Sequence, residues 1–129
     1  MKTQTRGPQN DLLQPFVGHW KVEGYNGPTA PEGSGERVTG YEVFEWLEGQ
    51  HYMIQRFNRQ MGSEKFVALG WIGYDAQNKT YLSYIVTNQG YMRIYSVDVE
   101  QNRVRFYGDF ERGSLELSED GTALTEKWE

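Results

Sequence analysis

EKFVALGWIGYDAQNKTYLSYIVT, residues 64–87, is two runs rich in β-branched and aromatic side chains, broken once by the turn-like Ala76-Gln77-Asn78-Lys79. A four-residue loop there pairs Asp75 with Thr80, and hence Trp71 with Tyr84, which makes the stretch one long antiparallel hairpin. Neither run carries the roughly 10 to 15 helically periodic residues of a crossover helix, so the reading is against a parallel sheet.

Outward from this hairpin the same texture repeats. His19–Tyr25, Arg37–Leu47, Gln50–Asn58, Tyr91–Val99, Arg103–Asp109, Gly113–Leu117 and Thr122–Glu129 read as further strands joined mostly by hairpin-length, turn-like segments. In the first of them Trp20 and Val22 alternate with Lys21 and Glu23, the period of a half-buried strand. Short connections imply an up-and-down meander, and a meander of this size leaves two edge strands open unless it closes. The expected fold is therefore all-β, a single antiparallel up-and-down barrel of about 9 to 10 strands, wide enough to hold a cavity. Asn10 or Asp11 can cap a short helical turn over Leu12, Leu13 and Phe16 ahead of it. Residues 1–9, with Gly7 and Pro8, read as a loose leader, and 10–129 as the barrel domain. NGPTAPEGSGE, residues 26–36, has no large apolar side chain to bury and reads as a surface loop, a natural mouth or lid.

The composition agrees. A chain of 129 residues suits one core, and 15 Gly with 9 Tyr, 6 Phe and 4 Trp suit a twisted, curved sheet. Thirteen Lys and Arg against eighteen Asp and Glu leave a net charge of −5, which argues against a nucleic-acid partner. The absence of cysteine removes disulfides, thiolate metal sites and a Cys nucleophile. The start, MKTQTRGP, lacks an apolar signal region, and no run approaches the roughly 18 apolar residues of a membrane span. A soluble, cytoplasmic protein is expected.

Gly18-His19-Trp20, opening the first strand after a helical turn, resembles the G-x-W arrangement of lipocalin and calycin barrels. Together with Leu47-Glu48-Gly49, Ile54-Gln55-Arg56-Phe57, Gly70-Trp71-Ile72-Gly73-Tyr74-Asp75 and the closing stretch Asp120–Glu129, it is similar to an uncharacterised bacterial lipocalin-like family over residues 12–129. The resemblance implies a calycin-type barrel with no agreed activity. It also implies that Trp20 closes the barrel bottom beneath a cation from a late strand, for which Lys127 is the nearest candidate. Haem-binding barrels of similar shape use a histidine late in the chain, whereas His19 and His51 are both early. Haem is disfavoured and no cofactor is expected.

The hairpin Glu42–Arg56 carries the candidate chemistry. A three-residue loop Leu47-Glu48-Gly49 places Glu42, Phe44 and Trp46 on one face with Tyr52, Ile54 and Arg56; a two-residue Glu48-Gly49 turn groups them instead with His51, Met53 and Gln55. The first is favoured, since an acid and an Arg on one apolar face satisfy each other. In the hairpin 64–87, Val67, Leu69, Trp71, Leu82, Tyr84 and Val86 share a face expected to point inward, although Phe66, Ile72, Tyr74 and Tyr81 compete and would form a dimer surface if exposed. Val104, Phe106, Gly108 and Phe110 are the expected core face of their strand, while Tyr91, Arg93 and Tyr95 either face out or form a polar wall within. The candidate ligand-binding set is thus Glu42, Phe44, Trp46, Tyr52, Ile54, Arg56, Trp71, Tyr84 and Phe106.

No phosphate loop, dinucleotide fingerprint, zinc-protease motif or nucleophile elbow occurs, and two separated histidines cannot build a dedicated metal site. The leading function is a non-enzymatic binder of a small, mostly apolar or amphipathic molecule with one polar or anionic end, held by Arg56 with Glu42 behind it. One alternative is a cofactor-free isomerase, cyclase or hydrolase in which Glu42 or a Tyr does acid–base work and Arg56 stabilises negative charge. Another is an assembly module whose outer apolar face pairs with a second copy.

Overall fold

The computed structural model describes residues 1–25 and 37–129. A short helix α1 (Pro8–Asp11) and a 3-10 turn (Gln14–Phe16) lead into nine strands: β1 (Gly18–Tyr25), β2 (Arg37–Trp46), β3 (Tyr52–Met61), β4 (Glu64–Asp75), β5 (Thr80–Thr87), β6 (Met92–Glu100), β7 (Arg103–Tyr107), β8 (Arg112–Leu117) and β9 (Leu124–Trp128). They form one antiparallel sheet in strict chain order. The sheet curls into a nearly closed barrel, with β1 and β9 facing each other across a cleft between Trp20 and Val22 on one side and Leu124 and Trp128 on the other. The stretch 26–36, read as a mouth or lid, lies outside the described residues. No described helix is long and apolar enough to cross a membrane.

Leu13 and Phe16, both fully buried, fill the base of the core, and the Trp20 indole N–H donates to the Phe16 carbonyl at 2.9 Å. Thus the G-x-W tryptophan anchors β1 to the turn that precedes it. Lys127, the cation the resemblance suggested above Trp20, is exposed on β9. The N-terminal residues also lie against the barrel. Arg6 donates to the Gln50 carbonyl at 2.8 Å, and the Tyr81 hydroxyl donates to the Gln9 carbonyl at 2.7 Å.

The β4–β5 hairpin has the expected register, with Asp75 opposite Thr80 and Trp71 opposite Tyr84. Its facing is the reverse of that expected. Ala68, Ile72, Tyr81 and Ile85 are buried, whereas Val67, Leu69, Trp71 and Val86 are exposed and Tyr84 and Leu82 half-exposed. Both faces are apolar, so alternation cannot choose between them, and the room inside the barrel does. The inward row of β4 has Ala68 and Gly70 at its centre. A side chain at Gly70 would meet the Tyr84 carbonyl oxygen at 2.6 Å and Ile85 Cγ1 at 2.8 Å, so this row fits the concave side and the bulkier one does not.

The β2–β3 hairpin needs a second correction. Leu47 N–H donates to the Tyr52 carbonyl at 2.9 Å, and the four residues between them turn with φ of +97° at Gly49 and +61° at Gln50. Trp46 therefore stands opposite Met53 rather than Gln50, an odd shift that turns every β3 side chain over. Met53, Gln55 and Phe57 point inward, and Tyr52, Ile54 and Arg56 outward. On β7, Val104 and Phe106 are buried as expected, but Phe110 lies past the strand and is 80% exposed.

Beside the site described next, β2 and β3 approach closely at Gly40. A Cβ there would strike the Asn58 carbonyl oxygen and sit 2.8 Å from Arg59 Cα. Gly40→Ala is expected to destabilise the chain by about 3 kcal/mol in urea unfolding, because the two strands must part to admit a methyl group. Unchanged stability would show that they part freely.

Candidate functional site

Three ionisable side chains from distant parts of the sequence converge inside the barrel: Glu42 from β2, Arg59 from β3 and Glu126 from β9. Glu42 stands opposite Phe57 on the paired strand, two residues from Arg59 and so on the same face, and Glu126 lies 67 residues further along. Alternation places all three on inward parity. Met53, Gln55 and Phe57 lead to Arg59 on β3, and Leu124 and Trp128 flank Glu126 on β9. Arg59 Nη2 donates to Oε1 of Glu42 and, at 2.7 Å, to Oε1 of Glu126. The Trp128 indole N–H donates to the same Glu126 oxygen at 2.6 Å. The guanidinium also lies over the rings of Phe57 and Phe66, 5.3 and 5.7 Å from their centroids.

Two carboxyl groups share one guanidinium away from water, with Glu42 1% exposed. Burial, followed by repulsion from Glu126, pushes the Glu42 carboxyl up to about 9 despite the attraction of Arg59. Burial acts on Glu126 in the same sense but is outweighed by Arg59 and by hydrogen bonds from Glu42 and Trp128, so its carboxyl lies below the ordinary range. At neutral pH the cluster is a neutral Glu42 acid, a guanidinium and a Glu126 carboxylate, with no net charge. Among the described residues, the buried Arg59 Nε N–H has no acceptor.

A cavity of about 360 Å³ opens beside this cluster. Phe57, Phe66, Ala68, Ile85 and Trp128 give it apolar walls, and Arg59 with Glu126 form one polar point. A second polar point is the wall of Arg93, Tyr95 and Glu111. There the buried Tyr95 hydroxyl donates to the Glu111 carboxylate, Arg93 Nε sits 3.6 Å from the same oxygen, and burial pushes the Tyr95 phenol well above its usual range. Of the two orientations open for Tyr91, Arg93 and Tyr95, they line the cavity. The cleft between β1 and β9, about 460 Å³, shares Arg59, Met61, Glu126 and Trp128 with this cavity and adds Glu42. The cluster is the partition between them.

The candidate set from the sequence divides. Glu42, Phe44 and Phe106 are buried, and Trp46 is half-buried with its N–H on Gln14 Oε1 at 2.7 Å. Tyr52, Ile54, Arg56, Trp71 and Tyr84 instead lie on the outer face, which corrects the expectation that they point inward. The Arg56 side chain is 58% exposed and pairs with Glu45 at 3.3 Å. Glu42 lines the cleft, while Phe44 and Phe106 line neither space. An acid and an Arg do share the interior, but the Arg is Arg59, three residues and one change of face away. Sequence reasoning missed Arg59, Glu126, Trp128 and the Tyr95–Glu111 pair. The signal for Glu126 was present in Leu124-Thr125-Glu126-Lys127-Trp128, where one acid interrupts an otherwise apolar face. Among the described residues, no group of three or more His, Asp or Glu side chains could hold a metal ion.

A family model described as "Protein of unknown function (DUF1579)" matches residues 5–111. The matched stretch includes Glu42, Arg59, Tyr95 and Glu111 and stops short of Glu126 and Trp128 on β9. No curated protein matches the sequence.

Proposed function

For a chain that belongs to the family of proteins of unknown function DUF1579, we propose the binding of one small, mostly apolar molecule that carries a single uncharged polar group. The reading is that of a lipocalin-like binder. The observation that carries it is the 360 Å³ cavity with aromatic and aliphatic walls and a buried guanidinium at one point. That volume lies toward the lower end of the roughly 300 to 1,000 Å³ typical of small-molecule pockets. Charge balance selects the polar group. Arg59 is already neutralised by Glu126, and Arg93 already faces Glu111, so an entering carboxylate must displace an acid at either point. A carbonyl or hydroxyl oxygen can instead accept from the Arg59 Nε N–H, which has no acceptor among the described residues, without disturbing that balance.

Thermal unfolding with matched series of apolar ketones, alcohols, hydrocarbons and carboxylates tests this. A ketone or alcohol at a hundredfold excess over Kd should add about 2.7 kcal/mol, or about 10 °C in Tm for a chain of this length. The hydrocarbon should do less and the carboxylate least. A carboxylate that binds best, or no stabilisation by any of the series, overturns the reading.

A second reading, proton transfer by Glu42 on a bound substrate, is favoured by one observation: its carboxyl stays protonated at neutral pH. Its oxygen faces Arg59 and the cleft rather than the apolar cavity, so the acid is already satisfied by its neighbours. Glu42→Gln separates the two readings, because an amide keeps the hydrogen bonds and the neutral charge but cannot transfer a proton.

A further inference from the structure

We infer that the outer face of β4, β5 and β6 is a dimer interface, and that its occupant is a second copy of this chain. In the sheet, Leu69 stands opposite Val86 and Val86 opposite Met92; in the next row Trp71 stands opposite Tyr84 and Tyr84 opposite Ile94. These six side chains form one block two rows deep and three strands wide. Trp71 and Tyr84 stack at 5.4 Å between centroids, so the block has a rigid centre. Met92 is 57% and Ile94 51% exposed, although a soluble sheet ordinarily alternates apolar-in with polar-out.

Area and charge point to a self-partner. From these exposures the block leaves roughly 500 Å² of apolar surface in solvent, toward the upper end of what a monomer carries. Two copies meeting on it bury about 1,000 Å² from the apolar centre alone. The flanking Tyr52 and Ser96 bring the total into the range of about 1,200 to 2,000 Å² of a stable interface. The block holds no charge in a chain of net charge −5, so it is a place where two copies can meet without acid facing acid. The nearest charge in its rows, Arg56, is neutralised within its own chain by Glu45. An uncharged apolar block meets its own copy about a two-fold axis without charge mismatch, and pairing through it closes after two copies.

Sedimentation velocity over a concentration series is the test. The wild-type chain should sediment at twice the monomer mass at about 10 µM and above, and dissociate on dilution. Ile94→Glu and Trp71→Glu each set two carboxylates face to face across the axis. Both should be monomeric at concentrations about a hundredfold higher, with unchanged circular dichroism because the positions are already exposed. His19→Glu, an exposed position on β1, should leave the dimer intact. A wild type that stays monomeric at about 100 µM, growth beyond two copies, an Ile94→Glu dimer, or loss of the dimer in His19→Glu would each overturn the inference.

Discussion

Arg59→Met should lower stability by about 3 to 5 kcal/mol at pH 7, much of the roughly 5 to 15 kcal/mol that holds a domain folded. Methionine keeps an apolar stem over the rings of Phe57 and Phe66, so packing is largely retained and charge is what is lost. What remains is a Glu126 carboxylate with no cation beside it, accepting only from the Glu42 acid and the Trp128 N–H. An unpaired buried charge is among the costliest defects a core can carry. Removing the second charge should repair most of the damage, so Arg59→Met/Glu126→Gln is expected to be substantially more stable than Arg59→Met alone. Urea unfolding, with equal slopes for the variants, reads the differences directly. A loss below about 1 kcal/mol in the single variant, or no recovery in the double, would mean that the cluster does not hold the β3–β9 side of the barrel together.

The protonation of Glu42 gives stability an unusual dependence on pH. Its folded carboxyl is raised to about 9 from an ordinary 4.5, so between those values the folded chain keeps a proton that the unfolded chain releases. Stability from this group is complete below pH 4.5 and is lost as pH rises toward 9, by at most about 1.4 kcal/mol per pH unit. Glu126 has the opposite sign. Its carboxyl is held below the ordinary value, so its contribution is present above that value and is lost as pH falls through the folded one. Asp120 acts in the same acid direction, pulled down to about 2 by the Ser118 and Thr122 hydroxyls. Stability should therefore be greatest near the ordinary carboxylate range and decline toward pH 9. Glu42→Gln should abolish the alkaline decline and be the more stable protein at pH 9. An equal decline in both proteins would place the titrating group elsewhere.

Local chemistry wrote the strands and turns into the sequence. Each strand needs only alternation and β-branched or aromatic side chains, and each hairpin only a short polar break, so an antiparallel all-β meander was legible from neighbouring residues. Trp71 opposite Tyr84 was legible too, because a single turn length sets it. Facing was not. Where β4 and β5 are apolar on both sides, the choice depends on how much bulk the concave side of a nearly closed barrel admits. No single strand contains that quantity. In β2–β3 the choice depended on Gln50 adopting a left-handed conformation, which lengthens the turn and exchanges Arg56 for Arg59. The candidate site lies furthest from the sequence. The pairing of an acid with an Arg inside the barrel could be anticipated from the cost of burying either alone. Bringing Glu126 onto Arg59 across 67 residues, and raising Glu42 by burial and then by that approach, follows from the curl of the sheet toward closure, which only the assembled tertiary structure supplies.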